Sequence, residues 1–339
     1  MPNKLIAILA LAGAVLAGPI EFGRAELDQA IAVRHLNSRL FQIKTQVSVD
    51  PPESYRVVPG LITGGDLRGL MYGLLAAADQ VRRTGRLQKE EGVAGLAVRG
   101  VRARIDEFSG DLEWFHGREQ WPALFRGLAA SRFNRFQFAV PDLSGLVSLP
   151  EFPQVPTVEA AEKNLEALHF ISDTAAEYGV DVTLGVWTRQ VADGPFLYAA
   201  LGKVLSACPA IRGVQLRMSS ELAKDAIRAI RDTGRRITIE IPPEAQEAAT
   251  LAAAEGLPVR YSAPYPGTAR PVKGTQLMWE LGDPPDGGVP DLTRLVTKLA
   301  GTGAAGFEVD LPQSMLGRAQ DPPTWMLLGR LGYDVREAK

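Results

Sequence analysis

The chain of 339 residues is 46% hydrophobic and 22% charged, a composition typical of a globular protein that can form one large and one small domain. Its formal net charge of -2, without a basic stripe, excludes long-range attraction for nucleic acid or an anionic membrane. A small neutral or weakly charged ligand fits this composition better.

The first 17 residues predict a secretory signal peptide. An apolar run from Leu5 to Ala17 follows one lysine, and Val15 and Ala17 supply the small residues of a cleavage site. An uncleaved membrane anchor is the alternative, but the run is shorter than the ~20 residues that a spanning helix needs. We therefore expect an exported protein, periplasmic or secreted, with no membrane contact after cleavage near Gly18.

Residues 18–93 predict a small α/β sandwich domain. Asp66 is placed to cap the second of its two helices, and the polar stretch 86–95 is expected to be a linker. The predicted elements, in chain order, are a helix at 26–37, strands at 41–49, 55–58 and 61–63, and a helix at 67–83.

Residues 94–339 predict a (β/α)8 TIM barrel, because strand and helix signals alternate there eight times. An open doubly wound sheet is the alternative, but no glycine-rich phosphate loop follows an early strand. The expected strands are 101–106, 134–140, 181–187, 212–218, 236–241, 257–262, 275–280 and 305–310. Helical patterns lie near 120–131, 157–178, 195–206, 221–233, 243–255 and 290–300, and 322–333 can supply the closing helix.

The chain has a single cysteine, Cys208, so no internal disulfide can form. Its position at the end of an apolar helical pattern predicts a buried structural thiol. No CxxC, HExxH or clustered histidine and cysteine occurs, so neither a metal nor a cofactor is expected. The oligomeric state is left open.

Two groups of segments resemble glycoside hydrolases. LITGGDLRGLMYGLLAAADQVRRTG, residues 61–85, is similar to the N-terminal α/β domain that precedes the barrel in β-hexosaminidases and α-glucuronidases. CPAIRGVQLRMSSE, LMWELGDPP and GAAGFEVDLP resemble the barrel of bacterial α-glucuronidase-like enzymes. The resemblance implies a carbohydrate ligand. We expect no counterpart of the long helical domain that follows the barrel in characterised members, and YPGTARPVKG lacks the aromatic, Glu and His residues expected after the sixth strand.

Glycoside hydrolysis needs a carboxylic acid and a carboxylate on either side of the scissile bond. Glu221, after the fourth strand, is the candidate acid, although a first-turn helix residue that favours the helix dipole is the alternative. Glu280 ends the seventh strand, and Glu308 lies on the eighth; these are the candidate bases. Asp310 shares a strand face with Glu308, and we expect both inside the barrel because an unpaired carboxylate facing apolar helices is costly.

Aromatic residues follow three of the predicted strands. Trp114, Trp187 and Trp279 are expected to present flat faces around one opening, where sugar rings could stack, with core packing as the alternative. His116, in the first loop, is a candidate for binding sugar hydroxyls.

Charged residues near strand ends extend this predicted sugar site. Arg104 and Asp106 could bind sugar hydroxyls or form a structural ion pair. Arg217 could bind a uronate carboxylate through two parallel hydrogen bonds, or pair with Glu221 or Glu240.

Two functional hypotheses follow. The first is a glycoside hydrolase acting on a polysaccharide or oligosaccharide, with a sugar that bears uronic acid as one candidate. The second is a catalytically degenerate barrel that binds carbohydrate without cleaving it. A lyase or isomerase on the same fold would need a base or metal cluster that the sequence lacks.

Overall fold

A computed structural model describes residues 18–108, 112–152, 157–187, 193–267, 269, 275–285, 287–312 and 323–335. The predicted signal peptide lies outside these residues, as does part of the segment after the sixth barrel strand. Within the described ranges, no helix is long and apolar enough to cross a membrane.

The N-terminal region forms a mixed four-stranded sheet with two helices. The elements are α1 (Pro19–Val33), β1 (Lys44–Val47), β2 (Tyr55–Val58), β3 (Leu61–Gly64), α2 (Leu67–Thr84) and β4 (Glu90–Gly92), and the strand order is β1-β3-β2-β4. The Asp66 side chain caps α2 as expected, accepting a hydrogen bond from the Gly69 N–H at 2.6 Å.

Two predictions for this region were wrong. The first helix begins at Pro19 rather than residue 26, because proline suits the first turn of a helix, where no N–H is needed. The expected linker contains β4, which pairs with β2. The Glu90 carboxylate holds this strand in place, since the Tyr55 hydroxyl and the Gln80 amide each donate to it at 2.7 Å.

The rest of the chain forms a closed parallel barrel, which confirms the predicted fold and rules out the open sheet. Its strands are β5 (Val98–Arg104), β6 (Arg135–Val140), β7 (Asp181–Val186), β8 (Ile211–Leu216), β9 (Thr238–Ile241), β10 (Val259–Pro264), β11 (Gln276–Glu280) and β12 (Gly306–Asp310). The pairing β12–β5 closes the circle. All eight predicted strands are present, with ends shifted by no more than three residues.

Helices cover the outside of the barrel. They are α3 (Glu113–His116), α4 (Gln120–Ala130), α5 (Val158–Glu177), α6 (Gly194–Ala207), α7 (Ser220–Asp232), α8 (Gln246–Ala254), α9 (Val289–Gly301) and α10 (Leu327–Asp334). Alternate strand residues pack outward on them; Phe136 and Phe138, for example, contact Trp121. Cys208 lies buried at the end of α6, and burial raises the pKa of its thiol to about 12.

Most inward-facing positions of the barrel are polar or glycine, whereas branched apolar residues usually fill such an interior. Glycines on neighbouring strands leave room for these longer side chains. A Cβ on Gly185 would lie 2.5 Å from the Gln137 amide nitrogen, and one on Gly100 would lie 3.1 Å from a guanidinium nitrogen of Arg135. The interior therefore depends on hydrogen bonds and ion pairs for its packing.

Glu53 connects the N-terminal sheet to the barrel. Its buried carboxylate accepts hydrogen bonds from Arg99 at 2.5 Å, Arg68 at 2.9 Å and Asn134 at 2.7 Å. Its backbone carbonyl accepts one from the Tyr333 hydroxyl at 2.6 Å. Although burial alone would raise it, Arg99 and Arg68 hold the pKa of this carboxyl below its ordinary value.

We predict that Glu53→Gln lowers the free energy of unfolding by about 3–5 kcal/mol, because it leaves the buried Arg99 without a counter-ion. Equilibrium urea unfolding followed by circular dichroism measures this change. Glu91→Gln is the matched control: its pair with Arg56 is solvent-exposed, so the loss should be about 0–1 kcal/mol. Equal stability of the two variants would contradict the role of Glu53.

Candidate functional site

Arg102, on β5, lies at the centre of the barrel interior. Its guanidinium donates to Asp310 at 2.5 Å, to Glu280 at 3.0 Å and to Glu308 at 3.2 Å. Glu308 and Asp310 therefore share the inward face, as predicted from strand alternation. Because Glu280 and Glu308 bond to the same nitrogen, their carboxylates are close together but have an arginine between them.

A second arginine, Arg135, extends this network toward the amino ends of the strands. It donates to Glu308 and, through two nitrogens, to Glu240, which also accepts from Arg260 at 2.7 Å. With Arg217, which donates to Glu280, the interior holds four arginines and four carboxylates. This balance matters because an unpaired buried charge would be strongly unfavourable.

Amide side chains connect the ion pairs to the carboxyl ends of the strands, which we call the barrel mouth. Gln215 donates to Ser262 at 3.1 Å and to Glu280 at 3.3 Å. Its carbonyl oxygen accepts from Gln137 at 2.8 Å and from the Trp187 indole at 2.7 Å. Trp187 is thus fixed in orientation by the network below it.

Three guanidinium groups surround the Trp187 ring. The central carbon of Arg217 lies 4.4 Å from the ring centroid, that of Arg102 at 4.9 Å and that of Arg104 at 5.4 Å. These are cation–π distances. The structure therefore places Trp187 at the mouth as predicted, but its ring is in contact with arginines and is not an open stacking surface.

The other two tryptophans correct the expectation of flat faces around one opening. Trp279 is buried on the outward face of β11, where its indole donates to Thr302 at 2.9 Å. Trp114 packs against Phe138 and Trp121 beside the helices. Both serve mainly in packing, because their neighbours are apolar side chains of the outer layer.

Glu221 does not join the other candidate acids. It lies in the first turn of α7 with 84% of its side chain exposed, and it accepts from Lys224 at 2.7 Å. The alternative interpretation, a helix residue that favours the dipole, matches this position better. His116 is half-buried, and its ring hydrogen-bonds the Asn164 side chain at 2.7 Å.

Arg104 and Asp106 form an ion pair at the rim of the mouth. The two side chains are 3.1 Å apart and are 42% and 68% exposed. Arg217 is 33% exposed and borders a recess of about 440 Å³ between the ends of β8 and β9. Arg104 and Arg217 are therefore cations that a ligand can reach.

The interior carboxylates differ in acidity. Burial would raise the pKa of Glu280, yet Arg217 and Arg102 hold it below its ordinary value of 4.5. Burial raises the pKa of Glu308 despite its two arginine partners, but this side chain is fully enclosed. No group of three or more metal-ligating side chains occurs among the described residues.

Sequence reasoning missed most of the network. Arg102, Arg135 and Arg260 were not predicted as interior residues, and Gln137 and Gln215 were not considered. The alternation in VRGVRAR was a usable signal, since every second residue of a strand faces the same side.

Comparisons with known proteins give a fold but no family. No family model and no curated protein matches the chain. A solved structure of a GH138 enzyme targeting pectin rhamnogalacturonan II is similar over 92% of this chain and 49% of its own, with a TM-score of 0.75 and 15% identity. A putative spore coat polysaccharide biosynthesis protein E from Chromobacterium violaceum ATCC 12472 matches with 13% identity over 69% of this chain and 73% of its own, at a TM-score of 0.43. The chain thus spans about half the length of the first, and the likeness shows the shared fold.

We predict that Glu280→Gln lowers stability at neutral pH and that this deficit shrinks in acid. The pKa of Glu280 is lower in the folded protein than its ordinary value of 4.5. The ionised carboxylate therefore stabilises the fold above pH 4.5, and this stabilisation is lost as the pH falls through the folded pKa. Urea unfolding of the wild type and the variant, at neutral pH and again below pH 4.5, measures this change in the deficit.

Glu221→Gln, at an exposed carboxylate, is the control and should show almost no deficit at either pH. A deficit for Glu280→Gln that stays constant or grows in acid would contradict the assignment.

Proposed function

We propose that this protein is an exported, glycoside-hydrolase-like barrel whose mouth binds a sugar carrying a carboxylate, such as a uronic acid. The observation that carries the proposal is the pair of accessible guanidiniums, Arg104 and Arg217, held against Trp187. Guanidinium groups bind carboxylates through paired, charge-assisted hydrogen bonds.

Both arginines have hydrogen-bond donors that no described residue accepts from. Among the described residues, Arg104 pairs only with Asp106, an exposed contact that contributes little and can be exchanged for a ligand. Arg217 donates to Glu280 through one terminal nitrogen, and its other terminal nitrogen makes no hydrogen bond within the described part of the chain. Trp187 restricts the motion of both guanidiniums, which lowers the entropic cost of binding.

The rest of the mouth suits sugar hydroxyls. Asp106 and Asp310 supply carboxylate acceptors, and the recess beside Arg217 has the volume of a small-molecule site. Positive and negative groups both lie at the opening, so a polyhydroxy acid finds both donors and acceptors. The similar GH138 structure belongs to an enzyme directed at a pectin polysaccharide, which supports a carbohydrate ligand here.

Binding without cleavage is the form of this function that the described residues support best. A general acid needs a carboxyl that stays protonated near neutral pH, but the pKa of Glu280 is lowered. Glu308 is enclosed between two arginines, and Glu221 faces solvent beside Lys224.

Hydrolysis is the second candidate. Glu280 and Asp310 flank Arg102 at the mouth, and a substrate carboxylate could draw an arginine away from them. Release of Glu280 from Arg217 would raise its pKa toward the ordinary range.

We predict that a uronic acid disaccharide binds at least ~10-fold more tightly than its neutral counterpart, because one charge-assisted hydrogen bond contributes about 1.5–3 kcal/mol. Arg217→Gln should remove most of this preference. Isothermal titration calorimetry measures both effects, with Glu221→Gln as a control that keeps wild-type affinity. Equal affinity for acidic and neutral sugars would contradict the proposal.

Assays with aryl-glycosides and uronoxylan separate the two candidates. Binding without released sugar supports the binding protein. Sugar release that Glu280→Gln or Asp310→Asn abolishes, while Glu221→Gln does not, supports hydrolysis.

A further inference from the structure

A second polar cavity lies at the other end of the barrel, where the N-terminal sheet meets α10. We call it the junction pocket and define it by Tyr55, Arg83, Arg132, Arg330 and Asp334. Its volume is about 500 Å³, and it is formed by α2, β2, β4, α10 and the turn between α4 and β6. Because Arg132 precedes β6, the pocket is at the amino ends of the strands, remote from the mouth.

Four arginines and three carboxylates line this pocket, and their pairing is incomplete. Asp79 accepts from Arg82 at 3.2 Å and from Arg330 at 3.4 Å. Arg83 and Arg132, by contrast, contact no carboxylate in the described part of the chain; each donates only to a backbone carbonyl. Arg82 is also paired with Glu26 at 2.5 Å, so the guanidiniums without a carboxylate partner among the described residues are those of Arg83 and Arg132.

The two remaining carboxylates do not neutralise these arginines directly. Glu90 accepts from the neutral donors Tyr55 and Gln80. Asp334 forms no ion pair with any described residue, and burial raises the pKa of its carboxyl although the charges of Arg132 and Arg330 act in the opposite direction.

Arg132 is the most unusual of the lining residues. It is 7% exposed, and its φ of 67° lies in the left-handed region that side chains other than glycine rarely adopt. Its guanidinium lies 4.8 Å from the Tyr72 ring centroid, yet its Nη1 has no partner among the described residues. This φ belongs to the turn that ends α4, where the Arg132 N–H donates to Ala129 and the Phe133 N–H to Leu128. The buried donor without an acceptor is unfavourable, and such a group calls for a ligand or another partner.

We propose that the junction pocket binds a small oxyanion, namely a carboxylate, sulfate or phosphate group on a compound of monosaccharide size or less. The anion would accept from Arg132 and from the exposed guanidiniums of Arg83 and Arg330. Since those arginines belong to α2, the turn after α4 and α10, the bound anion ties the N-terminal sheet to the barrel. Binding therefore stabilises the whole fold by linkage.

Calorimetry with sodium sulfate on the full chain tests the proposal, with sodium chloride at equal ionic strength as the reference. In an Arg217→Gln background, which weakens anion binding at the mouth, the protein should bind sulfate saturably at the pocket, and its melting temperature should rise more in sulfate than in chloride. Arg83→Gln combined with Arg330→Gln should weaken sulfate binding at least ~10-fold, because two charge-assisted contacts are lost. Arg132→Lys should also weaken it while keeping the buried charge.

Two controls separate this site from others. Arg294→Gln removes an exposed arginine on α9 and should leave sulfate affinity unchanged. Because the titrations use the Arg217→Gln background, failure of the mouth as a sugar site would not affect this result. Adding glucuronate or glucose to the sulfate titration shows which ligands the pocket accepts. Glucuronate should compete with sulfate for the pocket, and glucose should not. The absence of saturable sulfate binding, or wild-type affinity in the double variant, would overturn the proposal.

Discussion

The contact of Arg102 with three carboxylates is the interaction on which the rest of the barrel depends. Glu280, Glu308 and Asp310 come from two strands, and all three bond to one guanidinium on a third. Charges enclosed this far from water are tolerated only when each has a partner, so the network must close around the interior. Arg135 continues it to Glu240 on the far side. The polar interior is therefore a connected set of ion pairs, where most barrels have apolar layers.

This pairing also determines what the mouth can do. The carboxylates that would be needed for acid–base chemistry are already engaged by arginines, whereas Arg104 and Arg217 each donate to a carboxylate through only one terminal nitrogen. Gln215 orients Trp187, and Trp187 in turn holds the guanidiniums of both arginines. A site built in this way is better prepared to receive an anion than to supply a proton.

The sequence predicted the architecture well because parallel barrel strands are short, β-branched runs separated by helical patterns. It also predicted the shared inward face of Glu308 and Asp310. It failed for Trp279, although the same alternation applies: with Glu280 inside, its neighbour must face the helices. The prediction that Glu221 is a catalytic acid was not met, because a position just after a strand does not show whether the side chain in the first helical turn faces the mouth or solvent. The partners of Arg102 come from residues about 180 to 210 positions away, and spacing alone cannot identify such contacts.

Sugar binding at the mouth can be observed directly in a crystal structure of the protein grown with a uronic acid disaccharide. We expect the sugar to lie in the mouth with its carboxylate within about 3.2 Å of a guanidinium nitrogen of Arg104 or Arg217. We also expect Glu308 to remain bonded to Arg102 and Arg135. A disaccharide bound elsewhere, or one in the mouth whose carboxylate points into solvent away from both arginines, would show that these arginines do not bind the sugar.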